Sequence, residues 1–247
     1  DSGCKIRHGE FRFFYFNFRL ESKATYSNNK LEGLRLSFHD NGWLSDSSVY
    51  RNGEISGTAM SWHDNGFISD STVVNEDGSG AWVAWSDNGN PFAAGYYAPG
   101  RKRRGIWQFF HYNGQLSARE QYDDDKLVNK KYFDENGVEE TDTTTTDREL
   151  SFPGGEKAWS KYLDKRLYFP SGWKITNSDE AIVIVTATID ERGKVIRAFV
   201  STPFHPDFDD VALRAVKLSP LWLPAIVHHR KIKGIIRVPV NFVQELR

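Results

Sequence analysis

The stretch HDNG stands at residues 39–42, as His39-Asp40-Asn41-Gly42, and again at 63–66, as His63-Asp64-Asn65-Gly66, 24 residues further on. Histidine and aspartate at a fixed spacing suit metal or acid–base chemistry, whereas Asn-Gly suits a tight turn. The surrounding sequence decides. Aligning on glycine gives Gly9, Gly33, Gly57, Gly80 and Gly105 at spacings of 24, 24, 23 and 25, with Val128 continuing the series. Five residues after each start lies an aromatic: Phe14, Phe38, Trp62, Trp85, Phe110 and Phe133. Nine residues after it comes the glycine of Asn-Gly, at Gly42, Gly66, Gly89, Gly114 and Gly137, with Phe18 in its place in the first unit. Tyr26, Tyr50, Val74, Tyr97 or Tyr122 follows. A fixed period of this length is the mark of a repeat array.

Asn-Gly between two alternating segments predicts a two-residue hairpin with a type I′ turn, because both central residues need positive φ. Each unit then forms one hairpin. Residues 1–140 are expected to stack about six of them into an all-β antiparallel sheet of about a dozen short strands, with the aromatic column buried. The units resemble the bacterial variant of the MORN repeat over residues 9–140, which implies a scaffold and no reaction of its own. Equivalent residues of neighbouring units are two strands, or ~10 Å, apart, too far for His39 and His63 to share one metal ion. His39, Asp40, His63 and Asp64 are therefore expected to be solvated residues at the approach to a turn.

Two charge runs fall within the array. Arg101-Lys102-Arg103-Arg104 after Pro99-Gly100 reads as a solvated basic loop tip. Asp123-Asp124-Asp125 occupies the equivalent loop one unit later, without the ligand spacing that calcium requires. A modest attraction between the two loops is expected.

At 247 residues, 39% hydrophobic and 14% aromatic, the chain has the apolar content for two cores. A net charge of -1 speaks against nucleic acid as a partner. The single Cys4 excludes an intrachain disulfide and a multi-cysteine zinc site, and reads as a bland terminal residue, not a lipid attachment point. The only methionine is Met60 and the chain starts at Asp1, so a removed signal or anchor ahead of it is an open expectation.

Residues 141–150, with Thr143-Thr144-Thr145-Thr146, read as a linker. Beyond it, helical periodicity appears for the first time. Trp159, Tyr162, Leu163 and Leu167 share one face of a helix over Glu156 to Leu167, ended by Phe169-Pro170. Strands are expected over Ala181 to Ile189 and Lys194 to Ser201, joined by Asp190-Glu191-Arg192-Gly193. A second helix runs from Asp207 to Lys217 and a last strand from Lys231 to Val243. The order helix, strand, strand, helix, strand over 151–247 is a small α+β domain.

Phe152-Pro153-Gly154-Gly155, Phe169-Pro170, Asp190 to Gly193, Ser219-Pro220-Leu221-Trp222-Leu223-Pro224-Ala225 and Val238-Pro239-Val240-Asn241-Phe242 follow one another in the order of the motifs of TonB energy-transducer C-terminal domains, which residues 151–247 resemble. Phe169 stands where that family usually has tyrosine, and Ser171 to Glu180 departs from its pattern. The resemblance implies a periplasmic protein in transmembrane transport at the Gram-negative cell envelope, held to the membrane through an N-terminal segment outside this chain. It also implies that the last strand takes up a short segment of an outer-membrane receptor, or that the domain forms a homodimer. The residues permit strand addition independently, since Pro239 inside a good strand suits an edge. The expected partner-binding residues are Phe169, Pro170, Lys233, Ile235, Ile236, Arg237, Val238, Pro239, Val240 and Asn241. Arg230, Lys231, Lys233 and Arg237 read as guards of that edge or as attractors of an acidic segment. Trp222, between Pro220 and Pro224, reads as core.

No phosphate loop, serine-nucleophile motif or paired carboxylates can be assembled, so the chain is read as non-enzymatic, with no catalytic residue, metal or cofactor. The competing expectation is a repeat-based scaffold or antitoxin-like interaction module that recognises its partner through the hairpin sheet.

Overall fold

The computed structural model describes residues 6–144, 146–176 and 178–244. Cys4, Thr145 of the Thr-rich segment and the end of the chain after Gln244 lie outside the described residues. The chain divides into two compact units, Asp1–Thr144 and Thr145–Arg247.

The first unit is a run of strands: β1 (Gly9–Phe14), β2 (Leu20–Ser27), β3 (Lys30–Leu31), β4 (Gly33–Phe38), β5 (Leu44–Arg51), β6 (Glu54–Trp62), β7 (Ile68–Val74), β8 (Gly80–Trp85), β9 (Pro91–Ala98), β10 (Lys102–Phe110), β11 (Leu116–Asp123), β12 (Lys126–Phe133) and β13 (Glu139–Glu140). They form one 13-stranded antiparallel sheet in chain order, with β3 paired beside the path to β2. The repeat glycines face the repeat aromatics across the ladder: Gly9 pairs with Tyr26, Gly33 with Tyr50, Gly80 with Tyr97 and Gly105 with Tyr122.

The Asn-Gly corners are turns, but not of the expected type. At residues 39–43 the Gly42 N–H donates to the His39 carbonyl (2.8 Å) and the His39 N–H to the Trp43 carbonyl (2.7 Å). Gly42 has φ 92, while Asn41 does not enter the positive-φ region. This is a type I turn closed by a left-handed glycine, and the register shift between Ser37 and Phe38 is the bulge that goes with it. The two-residue type I′ turns sit at the opposite ends of the strands, at Asn28-Asn29, Asn52-Gly53, Gly100-Arg101 and Asp124-Asp125, where both residues have positive φ. One Asn-Gly, at 52–53, is of this kind.

The expected buried column is corrected too. Phe14 is 57% exposed, and Phe38, Trp62, Trp85, Phe110 and Phe133 are half-buried. Successive strand residues face opposite sides, so the inward positions fall one residue earlier. The array's buried cluster is accordingly Ala93, Trp107, Phe109, Ala118, Tyr122 and Tyr132.

In the second unit α1 (Gly155–Asp164) precedes β14 (Glu180–Ile189) and β15 (Val195–Thr202), and α2 (Pro206–Lys217) follows. The short hairpin β16 (Ala225–Val227) and β17 (Arg230–Ile232) comes next, then β18 (Gly234–Val243). One expected terminal strand is thus two elements, broken at Lys233. The main sheet runs β15-β14-β18, and β14 pairs with β18 antiparallel along its whole length. Val183, Val185, Phe208, Ala212, Val216, Val240 and Phe242 form the core between this sheet and α2. Phe152, Ile189 and Trp222 make an adjoining cluster. Arg148 and Ser151 bridge to Ile226 and Leu223, so the expected linker ends before Arg148 and its last residues belong to this unit.

A groove beside the last strand

β18 lies at the edge of its sheet: β14 occupies one side, and no strand occupies the other among the described residues. Alternation then sorts its side chains. Ile236 and Val238 are half-buried and pack on the core, and Val240 is 0% exposed. Ile235, Arg237, Pro239 and Asn241 are exposed. Pro239 has no N–H to give to a ladder, which an edge tolerates best.

Between this edge and α1 runs a groove of about 630 Å³. Arg237, Val238, Pro239 and Asn241 line it from the strand side, and Glu156, Ser160 and Asp164 from the helix. Its floor is apolar: Phe152, Trp159, Leu163, Leu167 and Trp222. The rings of Phe152, Trp159 and Trp222 meet at centroid distances of 5.0 to 5.2 Å, so this floor is built of interlocked aromatics. Trp222 is 5% exposed, donates through Nε1 to Ser219 Oγ (2.9 Å) and is clamped by its backbone N–H to the Gly193 carbonyl (2.8 Å). Gly193, at φ 85, closes the β14–β15 turn, and a Cβ there would lie 2.0 Å from the Trp222 carbonyl oxygen. Tyr162 donates to the Ala215 carbonyl (3.0 Å) and ties α1 to α2; burial raises its hydroxyl pKa.

Of the expected partner-binding residues, the structure brings Arg237, Val238, Pro239 and Asn241 to the groove and leaves Ile235 exposed on the same strand. Several placements differ from expectation. Phe169 packs edge-on against Phe208 at 5.1 Å and Pro170 is buried, so both serve the core. The side chains of Ile236, Val238 and Val240 are directed to the core, and of these three Val238 also lines the groove. Lys233 precedes β18, and Arg230 is buried in the β16–β17 hairpin, so neither guards the edge as expected. Sequence reasoning missed the helix wall. Its signal was present: Glu156, Ser160 and Asp164 recur at i, i+4 and i+8.

In the array, the HDNG corners are not merely solvated. His39 Nε2 donates to the Trp62 carbonyl (2.8 Å), His63 Nε2 to that of Trp85 (2.9 Å) and His111 Nε2 to that of Phe133 (2.8 Å). Each asparagine adds a second bond to the next corner: Asn41 Nδ2 to the Asp64 carbonyl (2.7 Å), Asn65 to Asp87 (2.6 Å), Asn88 to Tyr112 (3.0 Å) and Asn113 to Glu135 (2.7 Å). These His and Asn rungs point forward along the chain, and Tyr112 adds one bond backward, its hydroxyl donating to Asp87 (2.8 Å). In the last corner Asn136 bonds back to Asp134 of its own turn (3.3 Å). No group of three or more His, Cys, Asp or Glu among the described residues is placed to hold a metal ion.

The charge runs also meet. Lys102, Arg103 and Arg104 belong to β10 and not to a loop tip. Lys102 pairs with Asp124 (2.7 Å), Arg103 with Asp125 (3.4 Å) and Arg104 with Asp123 (4.0 Å). The Arg103 backbone N–H, and then its guanidinium, lower the Asp125 pKa. The Arg103 guanidinium also lies 4.0 Å from the Tyr122 ring centre, and the Tyr122 hydroxyl donates to Glu120 (2.5 Å), a carboxylate only 2% exposed. Burial, then the Glu120 bond, raises the Tyr122 pKa.

Fold and groove together define a β-hairpin repeat protein with a separate α+β unit. A MORN repeat variant is found at residues 103–124, the span from Arg103 in β10 to the Asp124 corner of the next turn. No curated protein matches the chain.

Proposed function

We propose that the C-terminal unit docks an extended segment of a partner protein by strand addition to β18, and that it does so without catalysis. The observation that carries this is an edge of β18 that pairs with no strand among the described residues and opens, at Arg237, Val238, Pro239 and Asn241, onto the groove along α1. Main-chain pairing supplies affinity in such a mode, and the groove receives alternate side chains. The resemblance of residues 151–247 to TonB C-terminal domains supports the same site. It suggests a periplasmic setting at the Gram-negative envelope and, as partner, the N-terminal segment of an outer-membrane receptor. The hairpin array is then the scaffold that carries the docking unit. A second reading, recognition by the array itself, is favoured by the half-exposed apolar residues Leu34, Val49, Val73, Tyr96 and Ile106 along its strands.

The test uses the full chain and a labelled heptapeptide, TVTVTVT, measured by fluorescence anisotropy. Binding is expected to be saturable and to disappear when alternate backbone amides of the peptide are N-methylated on its pairing edge. Equal binding by both methylated registers, or binding that is lost in Leu34→Glu/Ile106→Glu, would overturn docking at β18.

A further inference from the structure

The helix wall of the groove has a spacing of its own. Glu156, Ser160 and Asp164 are exposed, line the groove and recur every four residues, which is ~6 Å along an α-helix. Residues on one face of a β-strand recur every ~6.6–6.8 Å. A strand laid on β18 therefore presents successive helix-facing side chains to Glu156, Ser160 and Asp164 in turn. Over the full run the two periods stay together: ~12 Å from Glu156 to Asp164, against ~13 Å from strand residue i to i+4.

Neither Glu156 nor Asp164 has an ion-pair partner among the described residues. Lys157 and Lys161 of α1 and Lys165 at its C-cap form the neighbouring stripe and do not line the groove. Arg237, the cation among the lining residues, alternates on β18 with the core-facing Val238 and Val240, so it addresses the other face of an incoming strand. Between the two acids the floor is Trp159 and Leu163.

We infer that the docked segment carries Lys or Arg at positions i and i+4, facing Glu156 and Asp164, with an apolar residue at i+2 that passes the small Ser160 and reaches the floor of Trp159 and Leu163. The inference rests on docking at β18 and adds the chemistry of the partner. It reverses the expectation of an acidic segment for the helix-facing positions.

Three peptides with the cores KTVTK, VTVTV and ETVTE are titrated against the full chain and against Glu156→Gln/Asp164→Asn, at low and high salt. KTVTK should bind about fivefold tighter than VTVTV at low salt, ETVTE more weakly than either, and the differences should shrink as salt is raised. In the double variant KTVTK should fall to the level of VTVTV while VTVTV is unchanged, which also shows that the fold is intact. If VTVTV binds but the charge order is absent, or persists in the double variant, the cationic pattern is wrong and docking stands. If none of the three binds, docking at β18 fails and the pattern with it.

Discussion

The two units close their hairpins with the same corner yet hold themselves together differently. In the array, His39 to Gly42 forms a type I turn with a left-handed glycine; in the C-terminal unit Asp190 to Gly193 does the same, with Gly193 N–H donating to the Asp190 carbonyl (3.0 Å). In the C-terminal unit the corner is pressed onto a core residue, Trp222. In the array the equivalent corner bonds sideways to the next corner, through His and Asn. A single sheet has few fully buried positions, so cohesion there is spread over polar rungs. A sheet covered by helices concentrates it in buried side chains such as Val183, Phe208 and Val240.

This contrast can be broken by mutation, with hydrogen exchange resolved by peptide as the readout. Trp222→Ala should cost the C-terminal unit about 3–5 kcal/mol, with loss of protection across β14 and β18 and none in the array. Comparable loss in the array would show that the two units do not keep separate stabilities. Within the array, Gly66→Ala should cost about 2–3 kcal/mol, because Gly66 has φ 86 and its Cβ would lie 1.9 Å from the Trp43 ring. Gly42→Ala, with open space around it, should cost only the conformational strain of about 1 kcal/mol. Adding Trp43→Ala to Gly66→Ala should bring the first value down to the second; no such recovery would refute the stacking of Trp43 on the next corner.

Smaller effects sharpen the account of the rungs. His63→Ala or Asn65→Ala should each cost about 0.5–1.5 kcal/mol, confined to the units on either side. A change reaching both ends of the array would mean that its coupling is not nearest-neighbour. Phe18→Gly should stabilise the first unit by about 1 kcal/mol, since Phe18 holds a left-handed φ of 64 at 90% exposure with no packing to compensate. A chemical-denaturation midpoint that moves down would contradict it.

Much of this was legible in the sequence. The glycine period and the Asn-Gly corners located the hairpins, and the apolar periodicity of Val211, Ala212, Ala215 and Val216 located α2. The turn type was not legible, because Asn-Gly serves a type I corner at residues 41–42 and a type I′ turn at 52–53, and the number of residues between the strands decides. Nor was the buried side of each strand, because the bulge beside Phe38 and Phe110 shifts the alternation by one. Pro239 marked the edge strand correctly, whereas the groove needed α1 to be placed against it. That packing comes from Trp159 and its near neighbour Phe152 meeting Trp222, which lies far along the chain from both.

The forward rungs give the array the energetics of a one-dimensional lattice. Each corner is coupled to its nearest neighbours, so lengthening the array by a whole unit is expected to add one fixed increment of stability. Asn136, which bonds back to Asp134, ends the series of donors. Length in such a molecule is a quantity that insertion or deletion of single units can adjust without redesigning an interior.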